Sequence, residues 1–546
     1  MSQCESHFRG NYVSLEQRRL FLADVVWSEG VIRSITECGD ESSVHGYLIP
    51  GFIDAHVHIE SAMLPPSEFG RLALCHGTIG CVADPHEIAN VLGMEGVEFM
   101  LDNARQSPFK AFFGAPSCVP ATPFETSGGA ISCAEIGRLL AEPEVCCLSE
   151  MMNFPGVLSD APEVLAKLDA ARGKGFPVDG HAPGVRGEAA IAYAAAGITT
   201  DHECVDLDEA REKIAAGMSI LIREGSAAKN FAALHPLITE ATARVMLCSD
   251  DKHPDDLIAG HINQLAARAV AAGHSIFDLL QVASINPIDH YRLPLGKLRV
   301  GDPMDAVEVS DLIDFQVLRT WLDGVVVNEQ GRSCLPPLKV PTPNIFDAGK
   351  VVPEAMMIAA TGGRVRVITV EDGSLLTGEA LLEPLVEKGC VVADTERDIL
   401  PICVINRYQP TKPALGFVQG FGLKRGAIAS SVAHDSHNVI AIGADIEALC
   451  KVINRVIESR GGVAVMAGEG VDILPLPIAG IMSDQEGTRV GEEYARLDHL
   501  AKSLGSALTA PFMTLSFMAL LVIPELKLSD KGLFDGRTFQ FTDLMV

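Results

Sequence analysis

Gly51 to Ser61 read GFIDAHVHIES, an apolar run that stops at His56 and His58. In an extended strand, residues two apart point to the same side, so both imidazoles face one small volume and can share a cation. An isolated HxH is also compatible with a polar strand end carrying two surface histidines. The segments that follow it weigh against that reading.

Between Tyr47 and about Leu295 the chain repeats one pattern: an apolar strand, a polar tip, then an Ala-rich helical segment. The strands are YLIPGFIDAHVH, GTIGCVADPHE, AFFGAPSCVP, VCCLSEMMN, FPVDGHAPG, GITTDHEC, MSILIREGS and RVMLCSDD. Helices are predicted at 161–173, 188–197, 207–217 and 255–273, rich in Ala, Leu and Glu and closing on Gly. Eight such units in about 250 residues predict a closed (β/α)8 barrel. A doubly wound open sheet is the alternative, but no Gly-rich phosphate fingerprint follows the first strand.

The flanks read differently. Short β-branched pieces near LFLADVVW and GVIRSI return in character after the barrel, in GDPMDAVEVSD and FQVLRTWLDGVVVNEQG. One small β-sandwich built from residues 1–50 and 296–345 is therefore expected, with the barrel, 51–295, inserted between them. After the Pro-rich connector LPPLKVPTPN, residues 346–546 form a C-terminal α/β domain that includes an amphipathic helix over Asp445–Arg460.

Composition excludes several classes. The 546 residues carry a formal net charge of -28, which disfavours nucleic acid and anionic membrane, since both reward clustered Lys and Arg. The fourteen cysteines are scattered without a C-x-x-C pair, which suits a reducing cytoplasm. The N-terminal MSQCESHFRGNYVS is polar and lacks a signal core, and the apolar run near Phe512–Pro524 is too short to span a bilayer.

Ligand-type residues gather at the C-terminal ends of the eight strands, where barrel active sites form. They are His56 and His58, then Asp84, His86 and Glu87, then Glu150, His181, His202 with Glu203, and Asp250 with Asp251. Burying so much charge and imidazole is costly unless cations neutralise it. Four histidines and two or more carboxylates suffice for two metal ions sharing a bridging oxygen.

The ordered set GFIDAHVHIES, VADPHEIANV, SEMMNFPGV, DGHAPG, TDHE and CSDD resembles the adenine deaminases of the amidohydrolase superfamily, as does HDSHN at 434–438. The resemblance implies that His56, His58 and Asp250 hold one metal, that His181 and His202 hold the other, and that Glu150 bridges them. It implies two divalent ions, manganese or iron with zinc also permitted, and a small-molecule substrate, adenine, in a cytoplasmic homo-oligomer, a dimer. The reaction it implies is hydrolytic deamination to hypoxanthine and ammonia by a metal-activated hydroxide, on the free base more than on adenosine. Asp250 would take and return the proton, and Glu203, Glu87 or Glu60 would face the ring nitrogen. Arg223, Glu224 and Ser226 either read the purine edge or, for the Arg/Glu pair, form a structural salt bridge. His434 and His437 either cap the barrel mouth against the purine or belong to a locally satisfied turn. A relative that opens cyclic amides and a di-iron, catalase-like redox protein are the competing readings.

Overall fold

A computed structural model describes residues 5–546. The chain opens with β1 (Ser6–Ser14), β2 (Arg19–Ser28), β3 (Val31–Gly39) and β4 (Tyr47–Pro50). The barrel strands follow: β5 (Phe52–Val57), β6 (Thr78–Ala83), β7 (Lys110–Ala115), β8 (Val145–Met151), β9 (Val178–Gly180), β10 (Thr200–Asp201), β11 (Ser219–Arg223) and β12 (Val245–Cys248). After the barrel come β13 (Ala306–Val309), β14 (Val317–Leu322), β15 (Val325–Glu329) and β16 (Arg332–Ser333).

The flanks make one eight-stranded sheet in the order β16-β15-β14-β13-β4-β1-β2-β3, so β4 joins the two halves. It pairs parallel with β1 and antiparallel with β13. The sheet curls over a core in which Trp321 of β14 meets Phe8 of β1 and Trp27 of β2 edge-on, at 6.0 and 6.3 Å between ring centres. The polar N-terminal stretch thus hides a strand. In β1 the buried apolar positions Phe8, Tyr12 and Val13 are interleaved with Arg9, Gly10 and Asn11. Asn11 is itself buried and binds the backbone of Ser42 and His45, which explains its presence inside a sheet.

All eight predicted barrel strands form, in two parallel runs, β5-β6-β7-β8-β9 and β10-β11-β12, that meet at two seams. The first of the eight is divided. Its YLIP half stays in the flank sheet and only Phe52–Val57 enters the barrel. Thr199 N–H donates to Val178 O at 2.8 Å, linking β9 to β10. At the other seam Asp250 N–H donates to His56 O at 2.9 Å and His58 N–H to Asp250 O at 3.3 Å. The last and first strands therefore join at the residues the sequence marks as ligands. The helix predicted over 255–273 is instead two, Pro254–Ala259 and Ile262–Ala271, because Gly260 and His261 leave helical geometry between them. That break turns His261 inward.

Beyond the connector, a second eight-stranded sheet and the helix Ile446–Ser459 build the C-terminal region. The helix is capped by Asp445, whose carboxylate accepts the Ala448 N–H, and it ends at Arg460 in left-handed conformation. Its apolar stripe, Leu449, Val452, Ile453 and Val456, packs on that sheet. The strands Ala427–Ser430 and Val439–Gly443 are adjacent and antiparallel, and the loop between them carries His434 to Asn438 to the barrel mouth.

Candidate metal centre and active site

Buried polar pairs hold the strand ends in place. Asp54, two residues before His56, accepts the Ser249 N–H at 2.9 Å and faces His261 Nε2 at 2.9 Å, while His261 Nδ1 meets Thr78 Oγ1 at 2.8 Å. This fixes β5 against the turn that presents Asp250. Asp250 itself sits at φ +55, a left-handed conformation that aspartate tolerates better than most residues and that ends β12 sharply. Asp201 accepts the N–H of Ala182 at 3.0 Å and of Glu203 at 2.8 Å, and is paired with the fully buried Lys213 at 3.2 Å. The turns bearing His181 and His202 are therefore fixed to one carboxylate.

The side chains converge above the barrel. Glu150 Oε2 is 2.8 Å from His181 Nδ1 and 3.2 Å from His202 Nε2, and Oε1 is 3.5 Å from His58 Nε2. Asp250 Oδ1 is 3.2 Å from His58 Nε2 and 3.7 Å from His56 Nε2. The His56 and His202 rings stack with centres 4.3 Å apart. His56 Nε2 and His181 Nε2 are buried without a hydrogen-bond partner, which native structures rarely tolerate. Three sets of donors each lie within 4.8 Å of one another: His56, His58 and Asp250; His56, Glu150 and His202; and His181, His202 and Glu203. Imidazole and carboxylate together suit divalent manganese, iron or zinc, so this donor set fits a metal centre.

Charge is arranged accordingly. Burial, with His202 and His58 nearby, pushes His56 well below its ordinary pKa and keeps it neutral, as a ligand must be. Burial alone would raise Glu150, but the surrounding imidazoles, His181 first, outweigh it and hold the carboxyl well below its usual range. Asp250 is likewise held low against its burial, chiefly by Arg223.

Arg223 differs from the purine-edge reader considered above. Its guanidinium clamps Glu203, through Nη1 to Oε1 and through Nη2 to Oε2 at 3.0 Å, and also reaches Asp250 Oδ2 at 2.6 Å. Glu224, one residue on, points to the other side and pairs with Arg268. The Arg223/Glu224 salt bridge does not form.

The cavity is lined by His58, His86, Glu150, Met152, His181, His202, Glu203, Arg223, Asp250 and Asp251 from the barrel. The C-terminal region closes it with Leu375, His434, Asp435, Phe517 and Leu520. Asp435 belongs to the HDSHN stretch that the sequence marks, but the apolar walls Leu375, Phe517 and Leu520 had no signal there, since nothing local marks a residue that meets the barrel across a domain. Several expected contacts lie elsewhere. Glu60 is fully buried beneath the site and accepts the Ile88 N–H at 3.2 Å. Burial and the neighbouring Glu87 push Glu60 up to about 8. Glu87 is off the cavity wall, bonded to Ser61 Oγ at 3.1 Å and 3.2 Å from His434 Nδ1. Ser226 donates to Asp256 at 2.5 Å and accepts the His253 N–H, so it serves its own loop. His437 is wholly buried, its carbonyl bound by Arg407 and its Nε2 3.8 Å from Glu87, and it does not reach the cavity. His434 does, stacked on Phe517 with ring centres 5.0 Å apart.

A parallel barrel with a His/Asp/Glu centre at its C-terminal face, inserted in a flank sheet, defines the metal-dependent amidohydrolase class. Residues 47–327 match the amidohydrolase family, and residues 374–540 match the adenine deaminase C-terminal domain. An adenine deaminase of Salinibacter ruber is 53% identical over 98% of this chain and 98% of its own. Adenine deaminases of a Sulfurovum species and of Methanosarcina mazei are 51% and 48% identical, each over 98% of this chain and 99% of theirs. The chain belongs to the adenine deaminase family. Among the described residues no helix is long and apolar enough to cross a membrane.

Proposed function

We propose that the chain replaces the C6 amino group of adenine with oxygen, consuming water and releasing ammonia and hypoxanthine. The observation that carries this is Glu150, whose two oxygens face imidazoles from separate strand ends on the wall of the cavity that the C-terminal region covers. In this reading His56, His58 and Asp250 would hold one divalent ion and His181 and His202 a second, with Glu150 serving both, and manganese or iron would be the ions. Ions bound there would make hydroxide available at neutral pH by lowering the pKa of water.

The chain's own residues do the rest. Asp250 presents Oδ1 to the histidines and Oδ2 to Arg223, so it is placed to take a proton from the attacking water and return it to the leaving amine. Glu203, on the cavity wall and joined to Asp250 through Arg223, is the group we assign to the purine ring nitrogen, in preference to Glu87 and Glu60, which lie off that wall. Arg223 keeps Glu203 and Asp250 aligned. Phe517, Leu520 and Leu375 exclude water from above. Among the residues lining the cavity, Arg223 is the one Lys or Arg, and both carboxylates beside it already neutralise it, which disfavours an acidic cyclic amide as substrate.

The test is ammonia release from a panel of aminopurines, with metal content measured on the same sample. Rapid turnover of adenine and little of adenosine is the expected result. Metal-loaded protein that releases no ammonia from any aminopurine overturns the assignment.

A further inference from the structure

Asp84 and His86, at the end of β6, take no part in the assignment above. His86 Nδ1 lies 3.1 Å from Asp84 Oδ2 and 3.4 Å from Glu150 Oε1, and His58 Nε2 is 3.5 Å from that same oxygen. The four donors lie within 4.8 Å of one another and all four residues are buried. Donors held at about 2.1 Å from a first-row divalent ion stand roughly 3.0 Å apart as octahedral neighbours and about 3.4 Å apart in a tetrahedron. The 3.1 and 3.4 Å contacts of His86 Nδ1 fall in that range.

As hydrogen bonds these contacts fail. His86 Nδ1 and Asp84 Oδ1 have no hydrogen-bond partner, although Asp84 is 2% and His86 3% exposed. Orphaned buried donors and acceptors of this kind are rare enough to require an explanation. His58 Nδ1 meets the Asp84 carbonyl at 3.2 Å, which leaves its Nε2 turned toward the cluster. On the outer side, His86 Nε2 is 3.8 Å from Asp435 Oδ1 in the C-terminal loop.

We propose that Asp84, His86 and Glu150 Oε1, with His58 at the rim, form a third divalent-cation position beside the two assigned above. An imidazole nitrogen has one lone pair, so His58 is counted with Asp250. A carboxylate oxygen has two and can be shared, so Glu150 Oε1 can serve both positions. One imidazole nitrogen and two carboxylate oxygens suit manganese, iron or zinc, and the nitrogen disfavours calcium and magnesium. The ion would fix Glu150 from the side opposite His181 and, through His86, tie the β6 turn to Asp435.

The count rests on the two-position reading, so the experiment measures ions rather than turnover. Full-length protein is stripped with a chelator, titrated with Mn(II), and its bound metal per chain is read by elemental analysis and by the free-Mn(II) electron paramagnetic resonance signal. Wild type is expected to bind three ions, and Asp84→Asn/His86→Gln one fewer, with the same circular dichroism. Wild type saturating at two, or equal counts for both proteins, overturns the third position. If the double variant does not fold, Asp84→Asn alone decides: loss of the weakest binding step supports the proposal and an unchanged titration refutes it. Three bound ions without ammonia release from adenine would leave this site standing and remove the proposed reaction.

Discussion

Glu150 and Glu87 are both buried carboxylates faced by imidazoles, yet they belong to different kinds of cluster. Around Glu150 the histidines come from the ends of four separate strands, and Asp250 completes the ring from a fifth. Around Glu87, His434 and His437 come from one loop of the C-terminal region, with Ser61 Oγ as a further donor. Residue type is nearly the same in both. Both leave buried atoms unpaired; what differs is that Glu150 stands on the cavity wall among residues of the barrel alone, whereas Glu87 lies off that wall and faces a loop of the C-terminal region.

The largest expected break in this contrast is Glu150→Gln. A neutral amide spans two cations poorly, so metal content and deamination should fall together, turnover by roughly 10³-fold or more, beyond the 10–100-fold typical of a partner one step removed. Elemental analysis alongside an ammonia assay reads it, and full metal loading with normal turnover would take Glu150 out of the site. Arg223→Met should cost about 3–5 kcal/mol of stability in chemical denaturation, since Glu203 and Asp250 would be left buried without their cation. Asp250→Asn keeps an oxygen donor but loses the proton carrier. Turnover should drop by about 10²-fold or more while much of the metal stays. Unchanged turnover would move the base to Glu203.

The two loop histidines sharpen the comparison. His434→Ala removes a cavity wall and should raise KM for adenine or lower kcat with little change in melting temperature. His437→Ala should do the reverse, losing about 1–3 kcal/mol through its unmet neighbours while the folded protein keeps normal kinetics. Identical kinetic defects in both would mean that the loop acts as one unit at the substrate.

The smallest effect concerns Glu125, buried where the barrel meets the same loop. Burial, with Asp435 nearby, pushes its pKa up to about 8. A carboxyl whose folded value is raised contributes stability that is complete below its unfolded value near 4.3 and is lost as pH rises toward 8. Glu125→Gln mimics the protonated form. Its melting temperature should exceed that of wild type by a few degrees at pH 8 and match it at pH 4, by calorimetry.

The barrel was legible because eight apolar runs recur, six of them ending in ligand-type residues, a pattern that period-two geometry turns into a common face. Strand β1 was not, because its buried apolar positions are irregular and Asn11 is kept inside by contacts 31 and 34 residues away. The centre itself was largely readable, since His56, His58, Glu150, His181, His202 and Asp250 do share one volume. The substrate wall was not. Arg223 and Glu224 are neighbours in sequence but point to opposite sides, and alternation alone predicts that only one can enter the cavity. Asp84 and His86 carried the same signal as His56 and His58 but had no role left once two ions were supplied. Phe517 and Leu520 reach the cavity through long-range packing, for which a linear pattern holds no mark.

The placement of β4 between β1 and β13 has a consequence for how the molecule is made. At synthesis rates of about 5–20 residues per second, the roughly 250 residues of the barrel take about 10–50 s to leave the ribosome after β4 has emerged. During that interval β4 has β1 on one side and nothing on the other, with Leu48 and Ile49 awaiting Glu308 and Val307. A half-sheet β1–β4 formed in that interval would have an open edge, which β13 can close only after the barrel strands have emerged. A ribosome-stalled chain ending near residue 295 should expose that edge to chaperones or proteases, and one extended past residue 340 should hide it.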